Sequence, residues 1–476
     1  MSSTLSDPTD FQAACPDYDR TAAFDALRAT EYSYLDETGQ LYLDYAGAGL
    51  PARAQLTEHA ERLRSRCFGN PHSENPTSAA SSELIDRARC AILDYFNAPE
   101  AEYAVIFTPN ATAAIRLVAE AYPFGPRTRL LLTRDNHNSV NGIREFARAR
   151  RAATRYVPFG SPALRVDDDE VRAVLRAGGR GLFAYPAQSN FSGVQHPLHW
   201  IEAAHERGYD VLLDAAAYVP SNRLDLSVVK PDFVPVSWYK VFGYPTGIGC
   251  LIARREALAR LHRPWFAGGS VYVASVLADW HTIAAGEAGF EDGTVNFLHI
   301  PDVEAGVRYV DSIGPELIHH RVTCLTGWLI DRLSALRHGN GEPMVRIYGP
   351  TGSRDRGGTV AFSLLDPDGH LVDERAVGRA AADARISIRT GCFCNPGAVE
   401  AAFGLTTGDW RRAMRGGART LDEYLALLGM PVGGALRASV GLASNVGDVE
   451  RFTEFLSVTF RDQVIGTDGL APRTGC

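Results

Sequence analysis

Between about Leu41 and Ile300 the chain repeats one pattern: a short apolar run, a polar loop, then apolar residues at helical spacing. The runs Ala104–Phe107, Arg129–Leu132, Gly181–Ala184, Val211–Leu213, Phe233–Val236 and Gly249–Ile252 read as strands. Helical spacing over Ala111–Ala121, Val140–Arg150, Asp167–Ala177 and His199–Arg207 places helices between them. Apolar strands alternating with helices predict an α/β fold, with a mainly parallel sheet sandwiched by helices. The texture changes near Val303. A long amphipathic helix is expected over Glu304–Leu336, then a period-two strand at Thr359–Leu364, a helix, and a strand at Ile386–Ile388. This reads as a smaller α+β C-terminal domain. The expected boundaries are 41–302 for the large domain and 303–464 for the small one. Residues 1–40 form an entry segment packing with the small domain, with one helix near Thr21–Ala29, and 465–476 form a polar, fraying tail.

Length and composition narrow the class without choosing a function. At 476 residues the chain holds two or three domains, or one large α/β unit with an appendage. The 48 Lys and Arg against 56 Asp and Glu give a net charge of −8, which argues against a nucleic-acid-binding surface. Met1–Asp10 has neither a basic start nor an apolar core, so it does not read as a secretory signal. No apolar run reaches the ~20 residues of a membrane-spanning helix. The expectation is a cytoplasmic protein. The eight cysteines are scattered, with no paired framework and no Cys-x-x-Cys; Cys392 and Cys394 stand closest.

Chemistry in such sheets gathers beyond the carboxyl ends of the strands. After Phe107 comes Thr108-Pro-Asn-Ala-Thr112, opening a helix. Backbone N–H groups there suit a phosphate, although an ordinary N-cap explains the same residues. After Leu132 comes His137, an imidazole placed to stack on a flat ligand or merely to be solvated. After Ala184 comes an amide cluster with Gln188 and Asn190. Asp214 ends a buried strand, where a carboxylate needs a partner such as a protonated pyridine nitrogen. Ser237-Trp-Tyr-Lys240 follows the next strand, and a lysine desolvated there is a Schiff-base candidate. The set describes a site for pyridoxal 5'-phosphate, held by phosphate, ring nitrogen and lysine.

The same residues carry a family resemblance. The chain resembles the class V aminotransferase-fold enzymes, within them the cysteine desulfurases, and most of all the aminotransferase-like domain of the molybdenum cofactor sulfurases. The resemblance runs over about residues 30–460, through Tyr42-Leu-Asp-Tyr-Ala-Gly47, Phe68-Gly-Asn-Pro-His72, Thr108–Thr112, Pro186–Gly193 and Leu213–Ala217. It continues through Asp232–Gly249, Phe290–Thr294 and Arg389-Thr-Gly-Cys-Phe-Cys394-Asn-Pro-Gly397. It implies the type I fold of pyridoxal-phosphate-dependent transferases. Lys240 would hold the cofactor and later move the Cα proton, Asp214 would bind the pyridine nitrogen, and His137 would stack on the ring. Asn190 would reach the ring hydroxyl and the substrate. Backbone at Ala111 and Thr112, with Ser237, would hold the phosphate. Thr294 would reach the phosphate of a neighbouring subunit, implying a homodimer. Arg437 would clamp the substrate carboxylate. Cys394 would be the nucleophile that takes sulfur from L-cysteine, or a relative of it, as a persulfide, leaving L-alanine. The sulfur would then pass to an acceptor protein or small molecule. Cys392 would either resolve the persulfide or be a passenger. No metal site is expected, since neither His196 and His199 nor His319 and His320 complete a ligand set with Cys392 and Cys394.

Ala217 and Tyr239 stand where many desulfurases have glutamine and histidine, and the sulfurase branch shares both changes. Those sulfurases carry a C-terminal cofactor-binding domain for which Gly466–Cys476 leaves no room. They also have a further cysteine where this chain has Ala398-Val-Glu400, so another acceptor is expected. Two competing readings stand beside the desulfurase. One is a C–S lyase, epimerase or aminotransferase on another amino acid, for which Cys394 is dispensable. The other is a cofactor-free binding scaffold.

Overall fold

The computed structural model describes residues 8–473. Its centre is a seven-stranded sheet of β1 (Tyr103–Thr108), β2 (Thr128–Thr133), β3 (Ala153–Val157), β4 (Arg180–Pro186), β5 (Tyr209–Asp214), β6 (Phe233–Ser237) and β7 (Gly249–Arg254). The spatial order is β1-β7-β6-β5-β4-β2-β3, and only β7 runs against its neighbours. All six predicted strands lie in this sheet.

Period-two geometry explains why these runs lack polar positions. In β4, Phe183 and Tyr185 enter one buried cluster while Leu182 and Ala184 enter the cluster on the opposite face. The same division separates Val234 and Val236 from Phe233 in β6. Both faces are covered, so the central positions of these strands are apolar. Helix α1 (Ala111–Ala121) covers one face through Ala114, Ile115 and Val118. The missed strand β3 is an edge strand whose Ala153 and Arg155 are exposed and whose Thr154 is only half-buried, so it lacks the apolar run.

The expected helix over Glu304–Leu336 is instead two helices, α2 (Pro301–Ile313) and α3 (Pro315–Ala335). Gly314 adopts φ +95° between them and Pro315 has no N–H to continue the first helix. The expected helix over Val140–Arg150 is likewise split, into Asn138–Asn141 and Ile143–Ala149. A second, antiparallel sheet consists of β8 (Val345–Tyr348), β9 (Thr359–Leu364), β10 (Arg389–Gly391) and β11 (Ala435–Ser439), in the order β8-β9-β11-β10. Leu41–Tyr42 pairs in parallel with Ile386–Ser387. Val271–Ser275 and Trp280–Ile283 form a hairpin. One apolar cluster runs from Phe183 and Val236 through Val303 and Leu329 to Phe362 and Phe452, joining the two sheets.

The cysteine pattern needs correction. Cys15 and Cys324 form a disulfide with Cα atoms 5.8 Å apart, across 309 residues of chain. Spacing hides such a pair because it joins the entry segment to α3. His320, one turn earlier on α3, lies with its Nε2 3.9 Å from Cys324 Sγ. Entry residues Asp25 and Thr21 also meet Arg321 of α3. In the polar tail, Arg473 donates to Asp373, Glu374 and Asp422. Among the described residues no helix is long and apolar enough to cross a membrane.

Candidate active site

Strands β5 and β6 pair at Leu212–Phe233, whereas β4 and β5 pair over six positions. Pro235 in β6 has no N–H to offer. The carboxyl ends of β5 and β6 therefore carry their terminal side chains apart, around a cavity of about 380 Å³. Its lining includes Ala111, Thr112, His137, Asn190, Asp214, Ser237 and Lys240. Seven of the ten residues named from sequence thus meet in one place, together with Gln188, Ala217 and Tyr239.

Local folding fixes each of them. Asn110 caps α1 by accepting from Ala113 N at 2.9 Å, which turns the helix's first N–H groups toward the cavity. Ser237, the last residue of β6, accepts from Ala111 N at 2.8 Å and ties that end of α1 to the lysine segment. Thr112 Oγ1 meets Ser139 Oγ at 2.8 Å. His137 caps the next short helix, its Nδ1 accepting from Ser139 N at 3.1 Å. Burial pushes its pKa down, and the charge on Lys240 pushes the same way. Asp214 is buried and accepts from Ala216 N through Oδ1. Lys240 rides on the single helical turn after β6, anchored by buried Trp238 stacked on Phe242. Burial lowers its pKa, and Asp214 opposes that shift.

This chemistry fits pyridoxal 5'-phosphate. Helix N–H donors and hydroxyls suit the phosphate, a buried carboxylate suits the ring nitrogen, and a lysine with lowered pKa suits the aldehyde.

The Cys394 segment closes against this cavity from the other sheet. Strand β10 runs directly into Cys392-Phe393-Cys394, and both Phe393 and Cys394 take φ +54°. Such backbone persists only where its surroundings hold it. Asn190 Nδ2 donates to Phe393 O at 2.8 Å, and Asn138 N donates to Cys394 O at 2.7 Å. Asn395 donates to Asp135 O and to Asn190 Oδ1. The Asn190 amide is thus engaged at both ends with the cysteine loop, whereas the resemblance assigned it to a ring hydroxyl. Cys394 is half-buried, while Cys392 packs in an apolar cluster with Phe191, Phe393 and Leu425.

Three named residues lie outside the cavity lining: Cys394, on the loop just described, Arg437 and Thr294. Arg437, buried on β11, donates to Asn190 O and Asp44 Oδ1, each at 3.0 Å, and lies 4.7 Å over the Phe393 ring. Thr294 lies in a neighbouring cleft with Thr108, Arg116 and Trp265, and accepts from Asn70 at 3.3 Å. Asp44, Asn138 and Asn395 were not singled out from sequence. A carboxylate following the apolar Leu43 was the available signal for Asp44, but its partners lie hundreds of residues away.

The description "Aminotransferase class-V" covers residues 41–452. The molybdenum cofactor sulfurase of Solanum lycopersicum is 36% identical over 94% of this chain and 59% of its own length. That of Homo sapiens is 35% identical over 90% of this chain and 50% of its own. The chain therefore spans less than two thirds of these curated relatives. An apo cysteine desulfurase structure from Thermococcus onnurineus NA1 superimposes with a TM-score of 0.74 at 21% identity, covering 97% of this chain and 99% of that one. The fold is that of cysteine desulfurases, and the chain belongs to the class V aminotransferase family.

Proposed function

We propose that this chain is a pyridoxal-phosphate-dependent cysteine desulfurase, which takes sulfur from L-cysteine, releases L-alanine and carries the sulfur as a persulfide on Cys394. The observation that carries this reading is the Cys394 loop, held by Asn190 and Asn138 against the cavity that contains Lys240. Bound pyridoxal 5'-phosphate supplies an electron sink for charge developing at the substrate's Cα. Ala111, Thr112 and Ser237 hold its phosphate, Asp214 its ring nitrogen, and His137 its ring face. Lys240 holds the cofactor and moves the Cα proton. Arg437 receives the substrate carboxylate. The Cys394 thiolate attacks the substrate sulfur; the new S–S bond forms as the Cβ–S bond breaks, and protonation at Cβ completes alanine. The persulfide then passes to an acceptor protein or small molecule.

Residues 41–302 are read as the cofactor-binding domain and 303–464 as the small domain, with 1–40 packed on the latter. A homodimer is part of the proposal, supported by Thr294 standing outside its own chain's cavity and by the exposed apolar hairpin around Leu277. A cytoplasmic site of action is part of the proposal: it suits a nucleophile that must return to a thiol after each turnover, while the Cys15–Cys324 disulfide is of a kind rare in that compartment.

The test is alanine formation from L-cysteine by the holoenzyme, with mass spectrometry of the Cys394 peptide. The expected results are a sulfur adduct on Cys394 and a fall in alanine release of at least about 100-fold in Cys394→Ala. Turnover that survives this substitution replaces the desulfurase with the lyase or aminotransferase reading.

A further inference from the structure

Two guanidinium groups oppose each other beside the candidate site. Strands β10 and β11 pair with Arg389 directly across from Arg437. Like charges at opposed positions repel unless an anion bridges them. Asp44 is that anion. It sits where the segment after Leu41–Tyr42 bridges to Ser439, two residues from Arg437. Its Oδ1 accepts from Arg437 at 3.0 Å, and its two oxygens accept from Arg389 Nε and a terminal nitrogen at 2.6–3.1 Å. Arg437 is nearly sealed from solvent, its side chain 3% exposed, and Arg389 is half-exposed at the rim.

Counting charge gives the substrate class. Two guanidiniums and one carboxylate leave a net charge of +1. Lys240 and Asp214 both line the cavity, but in the reading above they are taken up by the cofactor and do not enter this count. Arg437 also keeps donors in hand, since its buried Nε has no partner and each terminal nitrogen has a second hydrogen. Arg389 already makes its paired contact with Asp44.

We propose that Asp44 is a specificity-determining residue: it fills, from within the chain, the place a second substrate carboxylate would take, so the site admits amino acids with one carboxylate and turns away dicarboxylic ones. This rests on the reading of the site as one for amino acids. The carboxylate of a neutral-side-chain substrate balances the remaining charge. A second carboxylate would have to enter beside Asp44 with no cation left for it.

Titrating the holoenzyme with L-alanine and with L-aspartate, followed by the cofactor's absorbance, tests this. The wild type is expected to bind L-alanine at least about tenfold more tightly than L-aspartate. Asp44→Asn should shift that ratio toward L-aspartate by about tenfold or more, while Asp44→Glu should keep it near the wild-type value. A purely structural role for Asp44 would weaken both ligands alike and leave the ratio unchanged, which overturns the proposal. Should Asp44→Asn fail to fold, the wild-type ratio decides, because equal or tighter binding of L-aspartate contradicts the charge count. A wild type that binds neither amino acid overturns the amino-acid reading itself, a result distinct from the loss of discrimination.

Discussion

His137 shows how one side chain couples the site to pH. Its burial and the charge on Lys240 both disfavour the imidazolium, so its pKa lies below the ordinary 6.5. The unfolded chain takes up a proton near pH 6.5 that the native state resists. The stability this residue contributes is therefore complete above that pH and lost as the pH falls below it. In the cofactor-free protein, the thermal midpoint should fall between pH 7.5 and 5.5, and His137→Gln should flatten that fall. Identical slopes would contradict the assignment. At this scale, His137, Asp214, Ser237 and Lys240 were legible because each follows an apolar strand by a few residues at most. Asp44 was not, because its guanidinium partners lie 345 and 393 residues along the chain.

Among elements, strands buried on both faces were read closely, since an unbroken apolar run leaves little choice. Edge strand β3 was lost to its polar outer face. The α2–α3 break was lost to continuous helical periodicity, although the Gly314-Pro315 pair marked it. The helix that follows Cys394, Pro396–Ala402, is positioned by a close approach that no sequence pattern reveals. A Cβ added at Gly397 would lie 2.0 Å from the Arg134 carbonyl oxygen. Gly397→Ala must therefore push this helix, and the cysteine loop before it, off the segment that carries His137. The expected outcome is a fall of about tenfold or more in persulfide formation, with the cofactor's absorbance retained. Unchanged persulfide formation would show that the loop's seat on Arg134 does not position the nucleophile.

For the whole molecule, the hairpin between Val271 and Ile283 is the conspicuous surface. Val276 and Leu277 at its tip are fully exposed, with Tyr272 and Trp280 more than half exposed. A contiguous apolar patch of this kind needs a cover, and the dimer reading supplies one. Sedimentation velocity at micromolar concentration should show a dimer. Val276→Asp combined with Leu277→Asp should move the protein toward monomer, and a monomeric wild type would remove the dimer from the proposal.

The Cys15–Cys324 bond divides the chain by its covalent topology. Every residue assigned to the cofactor, from Ala111 to Lys240, belongs to the ring that this bond closes, as does Asp44. Arg389, Cys394 and Arg437 all belong to the arm that leaves this ring after residue 324. The part of the chain that holds the cofactor is thus a closed circuit, and the part that handles sulfur lies outside that circuit and is laid across it. Asp44, Asn138 and Asn190 are points on the ring at which that arm is fastened.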